Sequence, residues 1–205
     1  MSKPKFSDIQ HLFNNMILPF HEIERDMPLP VASKRNDNDA EHSWSLALLA
    51  IALAPQTDKT LDVGKVCIFS VIHDLVEIYA GDTSVWGPEE MLANKAAREE
   101  AAVAEIQKQF NAFPNLGDWI EQYERKDTPE AKFVYALDKF LNLLIRSTDQ
   151  GEYFRNKRIN LDRFKKQVVS HRRKAHHHPE VGKYYDELLE IFYKNPQFFA
   201  QGDNK

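Results

Sequence analysis

The chain lacks the residues that would make it a disulfide-rich or secreted protein. Cys67 is the single cysteine among 205 residues, so no disulfide bond can form within the chain. Cys67 lies in the apolar sequence KVCIFSV and is expected to be a small core residue, and this cysteine usage fits a reducing compartment. Residues 1–15 lack the continuous apolar stretch and cleavage site of a secretory leader. The expected location is therefore cytoplasmic.

Long hydrophobic runs and an excess of positive charge are also missing. No run of about 18 apolar residues occurs, so no segment is expected to span a membrane. The 27 lysines and arginines are outnumbered by 31 aspartates and glutamates, which gives a net charge of −4. This balance argues against broad binding to nucleic acid polymers, but it leaves room for a local basic pocket that holds a phosphate group.

Glycine is scarce, with 7 residues, and alternating β-branched residues are rare. Apolar residues instead recur at helical spacing, as in the stripe formed by Ile9, Leu12, Phe13, Met16 and Ile17. An apolar content of 42% is enough for a sizeable core. Because no repeat or linker marks a boundary, the chain is predicted to be a single all-α domain, a helical bundle covering residues 1–205.

Capping and breaking residues predict where the helices lie. Asp39 is expected to be the N-cap of a helix that runs to Pro55, and Thr128 the N-cap of a later helix. Gly81 is placed to end a largely buried helix, and residues 114–117 are expected to form a connection. The expected helices cover residues 40–54, 61–80, 88–110, 128–147, 160–173 and 179–194.

The sequence VIHDLVEIYAGDT places four ionisable residues in an otherwise apolar segment: His73, Asp74, Glu77 and Asp82. Burying a charged group is costly unless the group is paired or binds a metal ion. His73 and Glu77 lie on one face of a helix, because residues four apart are neighbours there. The segment is either an ordinary half-exposed helix or one wall of a site.

Two ionisable residues on other predicted helices could complete such a site. His42 lies just inside a helix start, and Asp138 interrupts a long apolar face. A metal ion shared by His42, Asp138 and the pair at residues 73–74 would compensate their burial, and two imidazoles with two carboxylates suit a divalent first-row ion. The residue pattern alone leaves an alternative open. In it, His42 is a helix-terminus histidine and Asp138 pairs with Lys139 or Arg146 at the surface.

Three motifs resemble those of the HD-domain metal-dependent phosphohydrolases. They are AEHSWSLALLAIALA at residues 40–54, HDLVEIYAGD at residues 73–82 and DTPEAKFVYALDKFLNLL at residues 127–144. The sequences of these motifs resemble those of the subgroup that includes the bacterial 5′-deoxynucleotidases, and the resemblance covers roughly residues 9–150. The resemblance implies an HD domain with the metal site between its helices, followed by C-terminal helices in residues 151–205.

The resemblance also implies a role for individual side chains. It implies a set of four metal ligands, namely His42, His73, Asp74 and Asp138. Glu77 and Asp82 correspond to carboxylates required for turnover. Glu77 is expected to orient a water molecule or act as a base, and Asp82 to assist the leaving group or order the substrate.

Substrate binding is expected at three further positions. Arg25 is the best match to an arginine that helps to hold the phosphate in the nucleotidases, and Arg35 is a weaker candidate for the same clamp. Trp86 could stack on a nucleotide base, with core packing as its alternative role. Arg35 could equally be a solvated loop residue.

A single divalent ion is the expected cofactor. HD proteins with two metal ions use extra histidines after the HD pair, and no histidine occurs here between His73 and His171. Four protein ligands leave positions for water only in a five- or six-coordinate shell, which favours Mn, Co, Ni or Fe over a closed Zn site; Zn in an expanded shell remains an alternative. The histidines at 176–178 are expected to be an exposed, pH-sensitive junction rather than a second site.

These expectations lead to three hypotheses about function. The first is an enzyme that releases phosphate from nucleoside or deoxynucleoside 5′-monophosphates, with the nucleotide as its small-molecule partner. The resemblance also implies a homodimer as one expected assembly. The second keeps the site but hydrolyses nucleoside triphosphates or another small phosphate ester. The third is a non-catalytic helical protein that binds a metal or a nucleotide.

Overall fold

The computed structural model describes residues 3–29, 35–83 and 89–201, and the all-α prediction is confirmed. The α-helices of these residues are α1 (Phe6–Leu12), α2 (Leu18–His21), α3 (Asp39–Thr57), α4 (Val63–Ile72), α5 (Glu77–Ala80), α6 (Glu89–Ala93), α7 (Lys95–Gln109), α8 (Pro114–Arg125), α9 (Pro129–Thr148), α10 (Glu152–Asn156), α11 (Leu161–Ala175) and α12 (Pro179–Lys194). A π-helical turn at Phe13–Ile17 joins α1 to α2, and a 3₁₀ turn at Pro196–Phe198 follows α12.

A small β-ribbon precedes α3 and was not expected from the sequence. Its strands are β1 (Glu24–Pro28) and β2 (Asn36–Asn38), which pair with each other. β2 has only three residues, all polar, so it is too short to show the alternating pattern by which strands are recognised. The ribbon matters for the site because it carries Arg25 and Asp37.

Helix α3 differs from its prediction at both ends. Asn38, not Asp39, is the N-cap, because its side chain accepts a hydrogen bond from the Glu41 amide at 2.9 Å. Asp39 is the first helical residue. The helix also continues through Pro55 to Thr57, whose hydroxyl donates to the Leu53 carbonyl at 3.0 Å. Proline near the end of a helix removes a single hydrogen bond, and this loss does not stop the last turn.

The segment with the HD pair is not one continuous helix. Helix α4 ends at Ile72, and α5 begins only at Glu77. Tight turns connect them, with the Leu75 amide donating to the Ile72 carbonyl at 3.0 Å and the Glu77 amide to the Asp74 carbonyl at 2.9 Å. The expected helix over residues 61–80 is therefore wrong in its middle. The break places the HD pair at a helix end, where side chains can converge on a site.

Glycine and proline explain the other differences. Gly81 ends α5 with a φ of 73°, as predicted. The region around residues 114–117 is not a connection, because Pro114 is the first residue of α8, where its missing N–H has no intrahelical partner to lose. Gly117 lies against α7, since a Cβ there would come within 2.9 Å of the Gln107 side chain. The expected helix over 88–110 is divided at Asn94.

The chain divides into two compact units, which we call unit 1 and unit 2. Unit 1 comprises Met1–Asp26 and Asn36–Ala131, and unit 2 comprises Met27–Arg35 and Lys132–Lys205, as far as the described residues extend. In unit 1, α3 packs against α4. The buried residues of these two helices include Leu46, Ala50, Val66 and Phe69. The single-domain expectation stays a prediction.

Unit 2 has an aromatic core. The rings of Phe154, Phe164 and Phe199 contact one another, with centroid distances of 4.9 to 5.2 Å, and Phe192 lies 5.3 Å from Phe164. Such ring pairs stabilise a fold by roughly 0.5–1.5 kcal/mol beyond the burial of their area. This core explains how the C-terminal helices α10, α11 and α12 hold together.

Among the helices that the structure describes, none combines the length and the apolar character needed to cross a bilayer.

Candidate metal centre

Two histidines of unit 1 face each other in a buried position. His42 lies in the first turn of α3, and His73 immediately follows α4. Both residues are almost fully buried, and their ring centroids are 5.3 Å apart with a tilt of 46°. One imidazole nitrogen of each lies within 4.8 Å of one of the other. This separation lets a single ion contact both rings.

The surroundings of His73 define which of its nitrogens faces the site. Nδ1 lies 3.0 Å from the Ser70 carbonyl oxygen, which can only accept, so Nδ1 carries the hydrogen. In the neutral ring, Nε2 then presents a lone pair, and it lies 2.9 Å from Oδ2 of Asp74. With its lone pair next to a carboxylate oxygen, Nε2 is placed to share a cation with Asp74. The arrangement, with a carbonyl behind the histidine, fits a metal ligand.

His42 has a carboxylate behind it. Oδ2 of Asp37, on β2, lies 3.8 Å from Nδ1 of His42, and both side chains are buried. The separation is longer than a hydrogen bond, so the support that Asp37 gives to the imidazole is electrostatic. The sequence reasoning missed Asp37, and the only signal for it was its place in the polar run NDND just before the EHS motif.

Arg25 joins two carboxylates of the site. Its Nη1 donates to Oδ1 of Asp39 at 3.0 Å and to Oδ2 of Asp74 at 2.7 Å. Asp39 is fully buried, and the Arg25 side chain is 11% exposed. The arginine expected to hold a phosphate thus lies beside the expected metal ligand Asp74. The sequence had identified Asp39 only as a helix cap.

Glu77 lies in the same cluster and pairs with a lysine from α7. One oxygen from each of Asp39, Asp74 and Glu77 lies within 4.8 Å of the others. Oε1 of Glu77 accepts from Nζ of Lys95 at 3.1 Å, whereas Oε2 is buried and has no hydrogen-bond partner among the described residues. Oδ2 of Asp39 is likewise buried and has no hydrogen-bond partner among the described residues. Lys95 was not identified from the sequence.

Burial and mutual repulsion raise the pKa values of these carboxyl groups. The pKa of Asp39 rises from 3.8 to about 7, because burial and the Asp74 charge outweigh the Arg25 guanidinium. The pKa of Glu77 is raised well above 4.5, first by burial and then by Asp74. Burial lowers the pKa of Lys95, but the carboxylates of Glu77 and Glu99 more than offset this, so that the net shift is upward. When all its carboxyl groups are ionised, the cluster carries more negative charge than its cations neutralise, and without a further cation protonation relieves part of this charge.

Asp82 follows Gly81 and is partly buried. The short segment that carries it is held from α7, because the Arg98 guanidinium donates to the Ala80 carbonyl and, at 2.8 Å, to Oγ1 of Thr83. Asp82 adds to the negative field at Asp39 and Glu77.

Asp138 belongs to unit 2, on α9. It is 4% exposed, so the expected burial is confirmed and a surface location is wrong. Its carboxylate pairs with Lys139, and its Oδ1 accepts from the Asn142 amide at 2.8 Å. Arg146 instead stacks on the Tyr153 ring, with its guanidinium carbon 3.5 Å from the ring centroid. The role of Asp138 as a metal ligand stays a prediction.

The remaining expected substrate contacts have less structural support. Arg35 is exposed and belongs to unit 2, where its backbone carbonyl accepts from the Leu29 amide at 3.0 Å. Trp86 lies outside the described residues.

The three consecutive histidines differ from one another. His176 and His177 are exposed, as expected, whereas His178 is buried with its ring edge-on to Phe133 at 5.0 Å. The expectation of a fully exposed run is therefore wrong at His178. As the N-cap residue of α12, His178 is turned into the core of unit 2.

The donors in unit 1 fit a divalent ion. Two buried imidazoles, one of them with its nitrogen lone pair against Asp74, provide the N and O atoms that first-row metals bind. A divalent ion would also compensate the excess negative charge of the carboxylate cluster. The site residues identified from the HD motifs in this unit, His42, His73, Asp74 and Glu77, lie together in the structure.

Comparisons with known proteins agree with this picture. Among solved structures, the chain is similar to a protein described as a predicted metal-dependent phosphohydrolase from Magnetospirillum magnetotacticum. The sequence identity is 26% and the TM-score 0.76, over 98% of this chain and 100% of that chain. No curated protein matches the chain significantly.

The family resemblance noted in the motifs is confirmed at the level of the HD domain, whereas the narrower resemblance to the 5′-deoxynucleotidases stays a prediction. The sequence profile of the HD domain matches residues 21–181, which is more than half of the chain. The matched range includes His42, the HD pair at residues 73–74 and the buried Asp138 of α9. The chain therefore belongs to the HD domain family.

Proposed function

We propose that this protein is a divalent-metal-dependent phosphohydrolase that releases phosphate from nucleoside or deoxynucleoside 5′-monophosphates. Membership of the HD domain family and the similarity to a predicted metal-dependent phosphohydrolase support the coarser class. The observation that carries the proposal is the convergence of His73 Nε2 on the Asp74 carboxylate beside the buried ring of His42. The nucleotide preference rests on the resemblance of the three motifs.

One divalent ion is proposed, held by four ligands: His42, His73, Asp74 and Asp138. The geometry in unit 1 supports the first three. For Asp138 the support is the motif around it and the burial of its carboxylate. Such an ion withdraws charge from a phosphoryl oxygen and lowers the pKa of a bound water molecule, in favourable cases from about 15.7 to roughly 7.

Glu77 is proposed to accept the proton of the attacking water. Its Oε2 is buried and has no hydrogen-bond partner within the described ranges, so this oxygen can accept a proton. Burial and the Asp74 charge raise the pKa of this carboxyl, which increases its affinity for a proton. Oε1 stays on Lys95 and keeps the carboxylate in place.

Arg25 and Asp82 are proposed to act on the substrate. A guanidinium can make two parallel hydrogen bonds to a phosphate group, and Asp39 and Asp74 already fix the position of this one. Asp82 is placed after the positive-φ Gly81, from which its carboxyl reaches toward the leaving oxygen or a sugar hydroxyl. Arg35 and Trp86 are weaker candidates for substrate contact, and both assignments rest on the sequence alone.

The test is a phosphate-release screen. The protein is stripped of metal and reconstituted separately with Mn, Co, Ni, Fe and Zn. It is then assayed on nucleoside mono-, di- and triphosphates in ribo and deoxy forms. We expect 5′-monophosphates to be the fastest substrates. Faster hydrolysis of triphosphates would replace the proposal with the second hypothesis. Full metal occupancy with no turnover on any phosphate ester would favour a non-catalytic protein.

Glu77 provides the internal control for this screen. Glu77→Gln removes the base but keeps the size of the side chain, so we expect full metal occupancy with turnover reduced by about 10²–10⁴-fold. Hydrolysis of a 5′-monophosphate by this variant at the wild-type rate would show that Glu77 is not the base.

A further inference from the structure

The segment from Glu77 to Thr83 carries both proposed catalytic carboxylates but has little structure of its own. Helix α5 within it has only 4 residues, and Gly81 follows with a φ of 73°. A single helical turn is not stable by itself in water. The positions of Glu77 and Asp82 must therefore be fixed by contacts from elsewhere in unit 1.

Helix α7 makes those contacts. It packs along α5 and presents two cationic side chains three residues apart, so that they project from the same face. Nζ of Lys95 lies 3.1 Å from Oε1 of Glu77. Arg98 donates to the Ala80 carbonyl and the Thr83 hydroxyl, one on each side of Gly81 and Asp82.

Lys95 binds a second carboxylate besides Glu77. Nζ also lies 3.1 Å from Oε1 of Glu99, one turn further along α7. The ammonium group is therefore held between two carboxylates, one of them almost fully buried. An ammonium held from two sides fixes the distance of Glu77 from α7, which a single exposed pair does not do.

The contact of Arg98 spans the loop that carries Asp82. The Ala80 carbonyl belongs to the last residue of α5, where no further helical turn exists to supply a donor. Arg98 satisfies this carbonyl and at the same time binds the Thr83 side chain, so it fixes both ends of the Gly81–Asp82 link. Thr83 is buried, which makes it a rigid anchor.

From this geometry we propose that Lys95 and Arg98 are positioning residues, with Lys95 holding the carboxylate of Glu77 and Arg98 holding the segment that carries Asp82. The inference rests on the proposed function for its catalytic meaning. Neither residue is assigned a contact with substrate or metal.

A double-mutant cycle tests the role of Lys95. Lys95→Met removes the ammonium and keeps most of the side-chain volume, and we expect kcat to fall by about 10–100-fold with KM within about threefold of wild type. In a Glu77→Gln background the same substitution should change kcat by less than about threefold, because its target is already lost. Equal effects in both backgrounds would overturn the proposal.

Two further variants separate positioning from folding. Lys95→Arg keeps the charge with a different geometry and should recover part of kcat. Lys108→Met is the matched control on α7, since Lys108 is exposed and pairs with Glu105 on the same helix. We expect wild-type kcat and KM for it. A kcat of Lys95→Met no lower than that of this control would contradict the proposal.

The Arg98 contact is tested in the same way. Arg98→Met should lower kcat with little change in metal occupancy, and Arg98→Lys should recover less than half of the loss because a lysine cannot span both acceptors. An Arg98→Met variant with wild-type kcat would show that Asp82 does not depend on Arg98.

Crystal structures of Lys95→Met and Arg98→Met give a readout that does not depend on activity. We expect the Glu77 carboxylate or the Asp82 carboxylate, respectively, to move by more than about 0.5 Å, which is the tolerance of a working site. Side chains that stay in place would contradict the positioning role whatever the enzyme does. If the side chains move but no phosphate ester is ever hydrolysed, the proposed function fails and the positioning role stands.

Discussion

Two aspartates of this chain each bind an arginine, yet their carboxyl groups behave in opposite ways. Asp39 accepts from Arg25 at 3.0 Å inside unit 1, and Asp186 accepts from Arg172 at 2.6 and 2.7 Å at the surface of unit 2. The pKa of Asp39 is raised to about 7, whereas the pKa of Asp186 is lowered from 3.8. Each aspartate also lies in a cluster with histidine, so composition does not explain the difference.

Burial and the number of carboxylates explain it. Asp39 is fully buried and is repelled by Asp74, which together outweigh its arginine. The side chain of Asp186 is 36% exposed, and hydrogen bonds from Arg172 and His176 dominate its environment. Without a metal ion, the buried cluster thus relieves the repulsion between its carboxylates by holding protons, while the surface cluster is already satisfied by its arginine and histidine. Only the buried cluster has a physical need for another cation.

The largest effect is expected from removing a proposed ligand in the buried cluster. Asp74→Ala takes away the carboxylate that faces Nε2 of His73 at 2.9 Å, and we expect metal occupancy and phosphate release to be abolished together. Elemental analysis of the dialysed protein measures the first and a phosphate assay the second. Asp186→Ala is the matched surface variant and should keep both. Retention of stoichiometric metal by Asp74→Ala would refute the assignment of this ligand.

The second largest effect is expected on stability, where Arg25 of the buried cluster should contribute more than Arg172 of the surface cluster. In metal-free protein, Arg25→Met leaves the buried Asp39 and the partly buried Asp74 without their shared cation, and we expect a loss of about 3 kcal/mol in the free energy of unfolding. Arg172→Met breaks an exposed pair and should cost about 0–1 kcal/mol. Urea unfolding in the presence of a chelator measures both. Equal losses would mean that burial does not distinguish the two clusters.

The sequence predicted those residues of the buried cluster that lie within short local motifs. His42, His73, Asp74 and Glu77 were found because an ionisable residue in an apolar helix needs a partner or a metal ion. The all-α class and several helix bounds followed from periodicity and capping residues in the same local way, whereas the family followed from the resemblance of the three motifs.

What was missed are contacts between distant residues, including those of Arg25, which was itself expected at the site as a phosphate-binding residue. Arg25 reaches Asp74 across 49 positions of the chain, and Lys95 reaches Glu77 across 18, so no spacing rule connects them. Asp39 was mistaken for a cap because Asn38 and Asp39 are both good capping residues and composition cannot choose between them. The break of the helix after Ile72 was missed for a similar reason. No proline or glycine marks it, and it is made by the tight turns at the HD pair.

The opposite pKa shifts predict opposite dependences of stability on pH. The folded metal-free protein holds a proton on Asp39 up to about pH 7, whereas the unfolded chain releases it near pH 3.8, so the folded state binds more protons between these values. The contribution of Asp39 to stability therefore falls as the pH rises from 3.8 to about 7, by at most about 1.4 kcal/mol per pH unit. For Asp186, whose folded pKa is lowered, the contribution is present above 3.8 and is lost as the pH falls.

Chemical denaturation of the metal-free protein from pH 4 to 7 measures these slopes. In wild type, the Asp39 carboxyl makes the free energy of unfolding fall as the pH rises, and Asp39→Asn should remove this contribution. The free energy of unfolding of the variant should therefore rise relative to that of wild type as the pH rises. Asp186→Asn should show its deficit at neutral pH and lose it in acid. Parallel pH profiles for Asp39→Asn and wild type would show that the Asp39 carboxyl does not titrate in this window.

The smallest effects are expected at the surface histidines, where the comparison can be made within three consecutive residues. His176 hydrogen-bonds to Asp186 at 3.1 Å, but Arg172 already binds that carboxylate, so His176→Ala should change the free energy of unfolding by less than about 0.5 kcal/mol. His178 is buried with its ring edge against Phe133, and His178→Ala removes that packing together with the ring, so a loss of about 1–3 kcal/mol is expected. Neither substitution should alter metal stoichiometry. A loss of bound metal in His176→Ala would give the histidine run the metal-binding role that its exposed pairing with Asp186 argues against.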